Sequence, residues 1–80
     1  MKVMFKNKLA QFNETYKYKI TSISHILKTN NSIIFYQNNN RFIYDITEKV
    51  LYKYHVDNNM TILIPDEIIM RDITSYSVRL

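Results

Sequence analysis

Between Ser32 and Ile64, four apolar-alternating segments are separated by short polar breaks rich in asparagine. That two-residue rhythm leaves the stretch few options besides an antiparallel β-meander. Ile33 and Phe35 alternate with Ile34 and Tyr36, and Phe42, Tyr44 and Ile46 with Arg41, Ile43, Asp45 and Thr47. Val50, Tyr52, Tyr54 and Val56 stand opposite Leu51, Lys53, His55 and Asp57, and Met60, Ile62 and Ile64 opposite Thr61 and Leu63. Breaks near residues 30, 39, 48, 58, 66 and 75 give the spacing of short-stranded sandwiches and small barrels.

The chain contains no glycine, so Asn and Asp are the residues best suited to supply positive φ where a turn needs it. The run Gln37-Asn38-Asn39-Asn40 therefore reads as a hairpin loop and Asp57-Asn58-Asn59 as a second turn, before either is given a function. Pro65 ends the preceding strand because it lacks the N–H a ladder needs. Ile68 to Ile73 and Tyr76 to Leu80 read as final strands, with a single helical turn opened by Pro65-Asp66-Glu67 as the alternative.

Ahead of the meander, Phe5, Leu9 and Phe12 have helical spacing, which predicts a helix from Val3 to Asn13; a strand from Lys2 to Lys6 competes with it. Tyr16, Tyr18 and Ile20 alternate with Lys17, Lys19 and Thr21, which predicts a half-buried strand, and Ser22 to Lys28 continues it through a bend. The expected fold is mainly β, or α+β with the helix counted. It is a single domain over residues 1–80, a small antiparallel meander forming a strongly bent sheet or partly open barrel, with a short N-terminal helix packed on it. SH3-like, Sm-like, OB and PH-like modules share this rhythm, and without their distinguishing glycines it selects none of them.

Isolated apolar residues of the minority parity, Ile34, Ile43, Leu51, Leu63, Ile69 and Ile73, give the sheet a second apolar face. A sheet with one wet face does not need them. Either the N-terminal helix covers this face with Phe5, Leu9 and Phe12, or another copy of the chain does.

With 80 residues, about 60 to 65% of the unfolded surface is buried on folding, so every strand must serve one core. The absence of cysteine excludes a disulfide framework, a thiolate metal site and a cysteine nucleophile. No signal-like apolar run opens the sequence and no segment approaches a membrane span, so a cytoplasmic protein is expected. Net charge is +4, unevenly spread: residues 1–41 hold seven basic groups against one acid, a balance of +6, and residues 42–80 four against six, a balance of -2. Such asymmetry points to an anionic partner.

The segment Tyr16-Lys17-Tyr18-Lys19 joins cations to flat rings, the two residue types that phosphates and bases use. Lys6, Lys8, Lys17, Lys19, Lys28 and Arg41 are the candidate contacts, with Lys53 nearby; a solvated lysine edge that discourages strand addition is the plainer reading. Tyr36, Tyr44, Tyr52 and Tyr54 read as core with hydroxyls at the rim. His25 and His55 have no metal-ligand spacing, and Ser24 and His25, as strand neighbours, should face opposite ways. No catalytic residue, metal or cofactor is expected, and an enzyme is not. The composition favours a small binding protein that contacts nucleic acid or a nucleoprotein complex through its basic N-terminal half. The alternative is a protein–protein interaction module, a small regulator or inhibitor of a larger host or viral protein, self-associating as a homodimer through Ile34, Ile43, Leu51 and Leu63.

Overall fold

The computed structural model describes residues 11–57 and 59–79. Most of the expected Val3–Asn13 helix, with Phe5 and Leu9, lies outside them, as does the competing strand. The described elements are α1 (Phe12–Tyr16), a 3-10 turn (Ile20–Ser22), β1 (Ile23–Lys28), β2 (Ser32–Gln37), β3 (Asn40–Asp45), β4 (Val50–Tyr54), β5 (Met60–Leu63), α2 (Glu67–Ser75) and β6 (Val78–Arg79). The strands form one open sheet in the order β5-β4-β3-β2-β1-β6. Its first five strands are the expected antiparallel meander, and β6 adds a short parallel pair against β1. No helix of the described residues is long and apolar enough to cross a membrane.

Two asparagines set the register. Asn38 and Asn39 have φ of 53° and 66°, the pair of left-handed residues that a two-residue hairpin turn requires. Gln37 therefore pairs with Asn40, and Phe35 with Phe42; both ends of the expected loop belong to strands. The rings of Phe35 and Phe42 stack with centroids 5.1 Å apart, and Phe12 meets them edge-on at 5.9 Å and 5.3 Å. All three are fully buried, each worth on the order of 2 kcal/mol in transfer from water. That contact holds α1 on this face, and a bond from Phe12 N to Ile64 O ties its start to the end of β5. With Ile33, Tyr44, Leu51 and Leu63 from the sheet and Met70 and Ile73 from α2 in the same core, both described helices cover one face.

Tyr16 to Thr21 do not form the expected strand. Tyr16 closes α1, Lys17 caps it with φ of 48°, and Ile20 opens the 3-10 turn. The alternation is real in another sense: Tyr16, Tyr18 and Ile20 lean on the core while Lys17 and Lys19 face water. In β1, a bulge at His25, φ 52°, shifts the pairing from Ser24 opposite Tyr36 to Leu27 opposite Ile34. Two residues then oppose one, so Ile26 joins Ile23 on the core side.

Helix α2 replaces the strand expected over Ile68 to Ile73. Asp66 caps it, one carboxylate oxygen accepting from Ile68 N at 3.0 Å and Ile69 N at 3.1 Å, and Ile69, Met70 and Ile73 fall on one helical face against the core. The alternative helical turn was correct in kind and short in length. The last strand shrinks to Val78 and Arg79.

The turn from Ile46 to Lys49 decides the parity of β4 and β5. Asp45 accepts from Glu48 N at 2.8 Å and Lys49 takes φ of 55°, which brings Leu51 opposite Tyr44 and Leu63 opposite Leu51. Leu51 and Leu63 are thus core residues, 0% and 3% exposed, and the expectation that they share a second face with Ile34 and Ile43 is overturned: a one-residue change of register exchanges a strand's faces. Tyr52 and Ile62 stand there instead. Of the tyrosine row, Tyr44 is buried, whereas Tyr36, Tyr52 and Tyr54 belong to that other face. Phe12 lies against Phe35 and Phe42, so α1 covers the core face, not the second one; Gln11, expected inside the Val3–Asn13 helix, is instead extended and bridges Ile64.

Replacing Asp66 by Ala should remove about 1 kcal/mol of stability and lower the melting temperature by roughly 4 to 8 °C. Thermal unfolding followed by circular dichroism reads this directly, and Asp66→Asn, which still caps, should lose much less.

Candidate nucleic-acid interface

One end of the sheet holds the β2–β3 and β4–β5 turns, and there four cations gather. Arg41 projects from β3 on the face away from the helices, its guanidinium 4.9 Å from the centroid of the Tyr54 ring. Lys53, from β4, lies on the helix-covered face with its ammonium 4.8 Å from the ring of Tyr16. Such contacts hold a cation near an aromatic face while leaving part of it in water. Lys17 and Lys19 reach the same end because Gln37, the last residue of β2, gathers the chain around them. The Gln37 amide donates to Ser22 Oγ at 3.1 Å and to Tyr16 O at 3.4 Å, and Ser22 N donates to Lys19 O at 3.0 Å. Gln37 is 2% exposed, and its Oε1 has no partner among the described residues.

Tyr18 stands between the two lysines and fastens them to α2, its hydroxyl donating to Asp72 Oδ2. Burial first, and then the bond to Asp72 and that residue's charge, push its pKa up to about 12. Burial, assisted by the charges of Glu67 and Asp45, also raises Tyr44. Neither phenol is a base near neutrality; Tyr18 serves as a strut.

Lys28 is carried away from this group. It pairs with Ile33 at the far end of the sheet and lines a groove of about 440 Å³ with Lys49, Glu67 and Arg71. Asp45, Glu48 and Asp66 lie at that end as well, placed by the turn after β3 and the start of α2. Lys49 and Glu67 approach to 3.7 Å with both side chains exposed, a contact worth little in water. Lys6 and Lys8 lie outside the described residues. The structure therefore places Lys17, Lys19 and Lys53 on the helix-covered side at one end of the sheet, Arg41 at the same end on the opposite face, and Lys28 at the other end.

Beside the basic end is a second groove, about 530 Å³, bordered by Ser22, Ser24, His25, Leu27, Tyr36, Gln37, Asn38 and Asn39. Ser24 and His25 are not held apart as strand neighbours would be: the bulge turns the imidazole so that Nδ1 lies 3.2 Å from Ser24 Oγ, and Tyr36 meets the ring edge-on at 5.8 Å. Sequence spacing could not show this contact, because it depends on the left-handed backbone at His25. Among the described residues no group of three or more His, Asp or Glu side chains could hold a metal ion.

No family model, curated protein or solved structure matches the chain.

The raised pKa of Tyr18 has a measurable consequence. Between pH 10 and about 12 the folded protein keeps a phenolic proton that the unfolded chain has lost, so the contribution of this group to stability is intact below pH 10 and is lost as pH rises through about 12. Phenolate absorbance in an alkaline titration should show a phase near pH 12, and Tyr18→Phe should remove that phase while the late titration of Tyr44 persists.

Proposed function

We propose that this chain is an intracellular, non-catalytic binding protein that contacts nucleic acid through the basic end of its sheet. The supporting observation is the sorting of charge along the strands. Lys17, Lys19 and Lys53 on the helix-covered side and Arg41 on the other side occupy one end, where the neighbouring acids are Glu14 on α1, Asp57 in the β4–β5 turn and Asp72, bonded to Tyr18; Asp45, Glu48, Asp66 and Glu67 occupy the other end among Lys28, Lys49, Arg71 and Arg79. Cations in such a cluster displace counterions from phosphates, which drives binding without reading sequence. The guanidinium of Arg41 rests on Tyr54, and Tyr36 is its neighbour in the β2–β3 pair, 37% exposed. Flat groups of this kind accept an unpaired base, so single strands suit the surface better than duplex. The adjoining groove offers hydroxyl, imidazole and carboxamide groups to a sugar or base edge.

Titration with single- and double-stranded DNA and RNA at two or more salt concentrations tests this. With four phosphate contacts, log K should fall with log salt at a slope of about -3, and single strands should bind more tightly. Lys17→Glu with Lys19→Glu should weaken binding strongly, and Lys28→Glu should weaken it far less. Absence of affinity at low salt, or indifference to the Lys17 and Lys19 changes, would defeat the proposal.

A further inference from the structure

On the face turned away from the helices, every strand contributes one apolar side chain to a single row. Following the pairings across the sheet, the row is Ile62, Tyr52, Ile43, Ile34, Leu27 and Val78. It is flanked on each side by a different set of residues. Towards the basic end stand Ser24, Tyr36, Arg41, Tyr54 and Met60, all long but Ser24; towards the other end stand Ser32, Asp45 and Val50, all short.

We infer that this face is the interface of a homodimer, packed face to face about a two-fold axis that runs along the row and crosses β3 at Ile43. The axis follows from the residues themselves. Rotation about it lays the apolar row on its own copy, reverses the strands, and sets the long flank of one protomer over the short flank of the other, so bulk meets space. Charge selects the same arrangement. Arg41 and Asp45 lie on this face of β3, two residues either side of Ile43 and so about 7 Å from it. The rotation therefore places each Arg41 over the partner's Asp45. A two-fold axis parallel to the strands would instead keep both Arg41 side chains at one end, where like charges oppose. Packed sheets cross at about 30°, and β3, near the middle of the sheet, is displaced least by that twist.

Size adds a constraint. Six strands of about five residues present a plan area on the order of 400 Å², and a standard interface removes roughly 800 Å² of accessible surface from each partner. The contact therefore has to engage the flanks as well as the row, which gives the Arg41–Asp45 pairs a place in it. In the resulting dimer Tyr36, Arg41 and Tyr54 are enclosed, so a second copy and a nucleic acid compete for them, while Lys53, against Tyr16 on the helix-covered face, and the exposed Lys17 and Lys19 stay outside the contact.

Sedimentation velocity across a range of concentrations provides the test. The species expected has twice the 9.7 kDa of the chain. Ile43→Lys should return it to a monomer with unchanged circular dichroism. Arg41→Asp and Asp45→Asn, which keeps the oxygen that accepts from Glu48 N, should each raise the dimer dissociation constant at least about tenfold. A protein that stays monomeric at every concentration overturns the inference. So does a dimer indifferent to Ile43→Lys or to Arg41→Asp.

Discussion

An alternating strand has two faces and no intrinsic preference for which one is dry until something is laid on it. In this chain the ring of Phe12 helps make that choice. It closes edge-on over the stacked pair of Phe35 and Phe42, and those two can stack because the turn at Asn38 and Asn39 leaves them directly opposite one another. From that contact follow the path of α1 and the arrival of Tyr16 beside Lys53. The buried Gln37 then gathers the chain beyond Tyr16, so one aromatic cluster positions both the core and the basic end.

Much of the architecture was legible because local chemistry and the period of the fold agreed. The strands of the meander, the left-handed asparagines and the end of β5 at Pro65 all followed from side-chain alternation and turn residues. What escaped was set by counting across turns. Four residues between β3 and β4 put Leu51 in the core and Tyr52 outside, and nothing in the alternation of either strand could say so. Positive φ at Lys17 and Lys49 was equally hidden, since lysine does not favour it, and at His25, a residue type that takes it more readily, the surrounding alternation masked it. Helix α2 was misread because Ile68, Ile69 and Ile73 suit a strand as well as a helix, and the cap at Asp66 and the core contacts decided between them.

The basic end was only partly visible for a related reason. Lys17 and Lys19 were recognisable as the outward residues of an alternating segment, although that segment proved to be a helix end and a turn. Lys28 and Arg41 looked equivalent in a linear sequence, yet the antiparallel path sends them to opposite ends of the sheet. Charge counted along a chain says little about charge in space when strands reverse every few residues. Among the described residues, folding leaves four cations at each end of the sheet, with Glu14, Asp57 and Asp72 near one set and Asp45, Glu48, Asp66 and Glu67 among the other.

The parallel pair between β1 and β6 bears on the order of assembly. It consists of Leu27 with Val78 and Lys28 with Arg79, whereas the other strand pairs of the sheet join neighbours in the chain. Closing a long loop costs more entropy than closing a hairpin, so the meander can assemble early while β6 must await the rest of the chain and α2. During that interval the outer edge of β1 has unpaired backbone groups able to recruit a strand from another molecule. When β6 arrives it shields only Leu27 and Lys28 at the end of that edge, so it shortens the template for mispairing rather than removing it.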